Sequence, residues 1–192
     1  MRYAVLGGPG DDPTLLLDWE SFSYAGKFVM SNTGKAVAYR GDPVGERDGW
    51  PPGAREADEP VEDVVGAVSF NEDRTDPGTA WLRYVTVRDD RRGDGVGARL
   101  CAFAADRLLE EYERVRIAVN NPFAFEALQK AGFGFTGEET GIAELVLERP
   151  HPDRAATYQT GLDRYRERDL SAEEEAFLDR KRGQSPPARV DW

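Results

Sequence analysis

The chain has 192 residues, 36 Asp+Glu against 25 Lys+Arg, a net charge of −11, one His and one Cys. That length fits one domain, and 40% hydrophobic residues supply a core, since a chain this size buries roughly 70% of its unfolded surface. One Cys excludes an internal disulfide or a thiolate metal cluster, one His excludes an imidazole-rich metal site, and the acid excess argues against a nucleic-acid partner.

Residues 1–6 are short and mostly apolar, and Gly7-Gly8-Pro9-Gly10 closes them as a first strand and turn. Asp12-Pro13 predicts a helix running through Leu15, Leu16, Trp19 and Phe22, with Pro13 in its first turn. Residues 35–39 (KAVAY) read as a strand. Residues 41–60 hold Pro43, Pro51, Pro52 and Pro60 among glycines and acids, which predicts a long acidic loop. Residues 64–70 form a strand and 71–78 a turn. The strongest β segment is 80–87 (AWLRYVTV), rich in aromatic and β-branched side chains. A helix over 95–112 places Val96, Leu100, Phe103, Ala104 and Leu108 near one face. A strand over 115–119 and a short helix over 122–131, stopped by Gly132, come next, and 133–135 pairs with 142–147. Beyond Pro150 the composition turns charged. Residues 153–182 read as two helices, the second opened by Ser171 and Glu174 at capping-box spacing. The end, from Gly183 through Pro186-Pro187, is expected to fray.

The chemistry concentrates between strand 80–87 and the helix that follows. Arg88–Arg91 is a polar turn, and Arg92-Gly93-Asp94-Gly95-Val96-Gly97 leads into the helix. Three glycines let the backbone turn tightly, and the donors at a helix N-terminus favour an anion, so a phosphate or pyrophosphate site is the direct inference. A plain glycine-rich β-α turn is the competing reading. A Walker A loop is excluded, because no Gly-Lys-Ser/Thr follows. The dinucleotide fingerprint fits in register at Gly93, Gly95 and Ala98. It fails in context, because RDDRR separates it from its strand and 115–119 ends in Asn120-Asn121 instead of an acid.

The run VRDDRRGDGVGARL resembles the GCN5-related N-acetyltransferase (GNAT) family, whose Arg/Gln-x-x-Gly-x-Gly/Ala signature is met by Arg92, Gly95 and Gly97. A second block is similar too: Asn121-x-x-Ala124, then Lys130-x-Gly132-Phe133. The resemblance is clear over about residues 60–148. It implies a single α/β (α+β) domain over 1–150, a mixed sheet flanked by helices. The tail is outside the resemblance; Leu162, Tyr165, Leu170 and Phe177 are too few apolar residues to fold alone, so 151–192 is expected to be a charged helical extension packed on the domain or on a partner. The resemblance also implies acetyl-CoA as co-substrate, with no metal. Backbone groups of Val85, Thr86 and Val87 would pair with the pantetheine amides. N–H groups of Arg92, Gly93, Asp94, Gly95, Val96 and Gly97 would hold the pyrophosphate, and Asn121 would touch the cofactor arm. Splayed fourth and fifth strands would admit the thioester, whose carbonyl a strand-four N–H polarises.

One departure stands out. The family's frequent tyrosine acid, in N-x-x-A-x-x-x-Y register, is Leu128 here. Tyr84, Tyr24 and Tyr158 are alternative acids, and Glu72, Asp73, Glu138 and Glu139 are candidate bases, with Tyr84 and Glu72 the expected catalytic pair. His151 reads as a solvated linker residue and Cys101 as core packing, while Trp81 and Trp50 are candidates to frame an acceptor pocket.

The expected activity is acetyl transfer to a primary amine on a small molecule or peptide. The alternative is an acyl-CoA-binding module without turnover. The resemblance allows a homodimer. Only four of the basic residues are lysine, and acid excess with few lysines resembles salt-adapted (halophilic) proteins; an ordinary acidic cytosolic protein is the other reading. No apolar run approaches the ~20 residues of a membrane span and no basic-then-apolar leader opens the chain, so a cytoplasmic location without membrane contact is expected.

Overall fold

The computed structural model describes residues 1–11, 13–41 and 63–192. Within them, one seven-stranded sheet runs β1-β2-β3-β4-β5-β7-β6. Its strands are β1 (Arg2–Gly7), β2 (Gly34–Tyr39), β3 (Val64–Glu72), β4 (Thr79–Val87), β5 (Arg114–Val119), β6 (Gly134–Glu139) and β7 (Leu145–Arg149). Neighbours are antiparallel except β4 and β5. A parallel pair requires a crossover, and α1 (Val96–Leu108) provides it. Helix α2 (Pro122–Lys130) joins β5 to β6, while α3 (Arg154–Arg166) and α4 (Ala172–Lys181) follow β7.

The larger core lies between the sheet and the helices, where Leu82, Leu100, Ile117, Phe125, Phe133 and Leu147 pack together. The opposite face is covered by the segment after β1. Leu15, Leu17, Phe22, Ala25 and Phe28 pack there on Val37, Tyr39, Val64 and Ala67.

No helix forms over 13–22. Pro13, Leu15 and Leu17 are buried while Thr14, Leu16 and Asp18 are only half-buried, the alternation of an extended chain. Leu15 N donates to Phe28 O at 2.9 Å, and only a short 3-10 turn forms, at Ala25–Lys27. Sheet-face burial outweighs the helix-start signal of Asp12-Pro13. The predicted loop over 41–60, with Trp50, lies outside the described residues apart from Gly41.

The charged helices anchor through few residues. On α3, Tyr158, Gly161, Leu162 and Tyr165 form one buried stripe at spacings of three and four. Tyr165 OH donates to Val119 O at 3.0 Å, and a Cβ at Gly161 would overlap the Phe125 ring. The chain end does not fray. Val190 N donates to Lys130 O at 2.9 Å, and Trp192 Nε1 donates to Asp106 Oδ2 at 2.7 Å with its ring edge-on to Phe103. Two late apolar residues thus find seats that the prolines disguise. His151 is not a solvated linker residue either; it is half-buried and fills the space beside Gly134.

Candidate active site and cofactor groove

The site begins with a defect in the sheet. Ser69 faces Tyr84 and Phe70 faces Leu82, so Arg83 is an extra residue on β4, a β-bulge that bends and twists the strand. Before the bulge, β4 pairs with β5 from Thr79↔Arg114 to Leu82↔Ile117; after it, β4 continues to Val87 without further β5 pairing. Arg88 N donates to Val65 O on the β3 side. By strand alternation, the N–H groups of Val87 and Val85 face the other edge, where the β5 pairing has ended. Thr86, between them, is buried, and its Oγ1 lacks a hydrogen-bond partner among the described residues.

Beyond β4 the chain makes a 3-10 turn at Asp89–Arg91 and then the glycine run. Gly93 (φ 89°) and Gly95 (φ 76°) are left-handed, a conformation that strains any other residue. Gly95 is the N-cap of α1 and brings no capping side chain, and the first turn holds no acid. The first N–H groups of α1 and the positive end of its dipole are therefore left for an external anion. At Gly97 a Cβ would sit 3.4 Å from Val87 Cγ2, so α1 starts close against the end of β4.

Arginines frame this loop in different ways. Arg99 Nη1 reaches back to Asp94 O at 3.0 Å and closes the turn. Arg92 binds Asp89 and Ser23, both at 2.7 Å, stapling the loop to the segment that covers the opposite sheet face. Arg91 lines the groove; its buried Nε lies 3.5 Å from Asp90 Oδ2, an ion pair without a hydrogen bond among the described residues. The signal for Arg91 in the sequence is its place in the basic run before the glycines. The groove encloses about 340 Å³ and runs from Val87 and Gly95 past α2 to Phe177.

The remaining candidates scatter. Asn121 caps α2, its Oδ1 accepting from Ala124 N at 2.8 Å, while its Nδ2 donates to Asn120. Tyr84, just past the bulge, packs with the opposite-face cluster; its ring is 6.0 Å from that of Tyr24, and Lys27 Nζ lies 5.5 Å from its centroid. Glu72 pairs with Ala80, roughly 15 Å along the strand from Val85, so the structure does not bring it to this group. Asp73 accepts from Thr75 N and Oγ1, Asp76 N and Trp81 Nε1, which hold its carboxyl far below the usual range. Glu138 is paired with Arg116, and Glu139 lies 3.7 Å from Arg164 and Arg168. Trp81 binds Asp73 at this far end, under the guanidinium of Arg83. Leu128 is a core residue. Tyr158 is buried and donates to Glu126 at 2.6 Å, with its phenol pushed well above the usual range by burial and that carboxylate. Burial also pushes the Cys101 thiol up to about 12, which keeps it a neutral packing group.

The acetyltransferase (GNAT) family matches residues 12–133 of the chain. The chain belongs to the GNAT family. Among solved structures, an acetyltransferase from Bacillus subtilis in complex with CoA is similar at 16% identity, covering 77% of this chain and 96% of that one, with a TM-score of 0.48. Nourseothricin acetyltransferase aligns at 18% identity over 79% and 98%, TM-score 0.46. A ribosomal-protein-alanine N-acetyltransferase from Brucella melitensis aligns at 18% identity over 61% and 68%, TM-score 0.43. The search of curated proteins found no match. GNAT enzymes use acetyl-CoA, and the residues here fit it: an uncapped helix start on left-handed glycines, the Arg91 guanidinium on the groove wall, and a released β4 edge. Among the described residues no group of three or more His, Cys, Asp or Glu is placed to hold a metal ion, and no helix is long and apolar enough to cross a membrane.

Proposed function

We propose that this GNAT protein is an acetyl-CoA-dependent N-acetyltransferase that moves the acetyl group to a primary amine by direct attack, with both substrates bound together. The observation that carries the reading is the coincidence of two features at one place. The β4 edge is released by the Arg83 bulge, and the uncapped, glycine-led start of α1 follows directly from that edge.

Backbone N–H groups from Arg92 to Gly97 hold the pyrophosphate, with the Arg91 guanidinium adding positive charge from the groove wall. Val85 and Val87 offer outward-facing backbone groups to the amides of the pantetheine arm, as an added strand would. Their N–H groups are also the donors available to polarise the thioester carbonyl. Bound there, acetyl-CoA supplies an activated acetyl group and a thiolate as leaving group. The Asn121 amide fixes the start of α2 beside the arm.

Leu128 provides no proton, so the proposed acid is Tyr84, close to the bulge on the face lined by Tyr24 and Lys27. A thiolate of pKa ~8.5 leaves tolerably without an acid, so the Tyr84 hydroxyl sharpens the rate and is not a requirement. The buried Leu128 is also what favours the second reading, an acyl-CoA-binding module without turnover.

Thiol release from acetyl-CoA, measured across a panel of polyamines, amino sugars, amino acids and peptide amines, tests the proposal. Release that requires both acetyl-CoA and an amine is expected. Tight acetyl-CoA binding without release for any amine would transfer the case to the binding module, and no binding would end both readings.

A further inference from the structure

We infer that α4, which lies beyond the family match, completes the cofactor groove by forming, with α2, an aromatic shelf for the adenine of acyl-CoA: Phe177 from α4 and Phe123 from α2. This rests on the acetyl-CoA reading above and extends it to the nucleotide end of the ligand. The groove that starts at the glycine cradle continues along α2, past Ala127 and Lys130, and is walled by both phenylalanines. Their ring centroids are 5.0 Å apart at an interplanar angle of 57°. Phe123 sits in the first turn of α2 with 38% of its surface exposed, a large aromatic left open in a groove whose other end is built for an anion.

The chemistry at the two ends differs, and together they match a nucleotide. Unpaired helix N–H groups and Arg91 suit a diphosphate; aromatic rings suit a planar base, which stacks on them whatever its edge pattern. Lys130 adds a cation on the same wall.

Phe177 is positioned by contacts that reach through the domain. Lys181, one turn further along α4, binds Glu126 Oε1 at 2.6 Å, and the other oxygen of that carboxylate accepts from Tyr158 OH at 2.6 Å. Glu126 is only 4% exposed, so this pair of bonds satisfies a buried charge and fixes α4 against α2 and α3. Lys181 Nζ also lies 5.6 Å from the Phe177 ring centroid. Leu178 inserts into the core beside it. The position of the ring is thereby set by the core and not by a free surface helix.

The test is calorimetric titration of the full chain and its Phe177→Ala and Phe177→Leu variants with three probes. These are acetyl-CoA, adenosine 3′-phosphate 5′-diphosphate and S-acetyl-4′-phosphopantetheine. Loss of the ring should weaken both adenine-bearing probes about ten-fold, with Leu nearly as poor as Ala although it keeps α4 packed. Affinity for the phosphopantetheine probe should stay the same. Unchanged acetyl-CoA binding in both variants, or equal loss for all three probes, would overturn the shelf while leaving the acetyl-CoA reading intact. A wild-type chain that binds no acetyl-CoA would overturn that reading and the shelf with it.

Discussion

Helices α1 and α4 wall the same groove, and they begin in opposite ways. Gly95 starts α1 with no capping side chain and no acid in the first turn. Ser171 starts α4 with a complete capping box, its hydroxyl accepting from Glu174 N and the Glu174 carboxylate accepting from Ser171 N, and three glutamates follow in the first turn. At α1 the N-cap is a glycine in the left-handed region, where Asp or Ser in an extended conformation would complete the helix internally. On the function proposed above, the finished end serves stability and the unfinished end serves a ligand.

Substitutions at each end should separate these roles. The largest effect is expected where the extension meets the core. Tyr165→Ala removes a buried ring and its bond to Val119 O, and should cost about 3–5 kcal/mol in denaturant unfolding. Gly97→Glu places a side chain and a charge where α1 abuts Val87, and should weaken acetyl-CoA at least about 100-fold while circular dichroism stays native. Ser171→Ala, at the finished end, should lower stability by about 1 kcal/mol and leave acetyl-CoA affinity unchanged. If Ser171→Ala weakened the ligand as much as Gly97→Glu, the contrast between the two ends would collapse.

Smaller effects are expected far from the groove. The carboxyl of Asp73 is held low by its four donors, so its stabilisation is full above the unfolded value of about 3.9 and lost as pH falls through the folded value. The melting-temperature gap between wild type and Asp73→Asn should be flat at neutral pH and narrow below about pH 4. Cys101, buried and with its thiol raised to about 12, should resist a thiol reagent at pH 8 in the native protein and react on unfolding.

The succession of β4, the glycine turn and α1 along the chain was legible because it is local. Ala80–Val87 is rich in aromatic and β-branched residues, and Gly93 and Gly95 announce a backbone that only glycine adopts cheaply. The extended segment carrying Leu15 and Leu17 was not legible, because the sheet face that buries them comes from β2 and β3. The bulge at Arg83 is a matter of register between strands, and no residue type marks it. Glu72 illustrates the same limit. Its nearness in sequence to the end of β3 suggested a place in the site, but antiparallel pairing carries that end toward Ala80 and away from Val85. Phe177 is held at the groove in part by the buried Glu126–Lys181 pair, a contact across 55 positions that sequence spacing does not reveal.

Amide chemical shifts of the loop test the central claim most directly. In a ¹⁵N-labelled sample titrated with acetyl-CoA, the N–H resonances of Gly93, Gly95, Val96 and Gly97, together with Val85 and Val87, should move saturably and as one set. Saturable binding that leaves those six amides in place and shifts another region would contradict the assignment of the glycine-led start of α1 as the acetyl-CoA cradle.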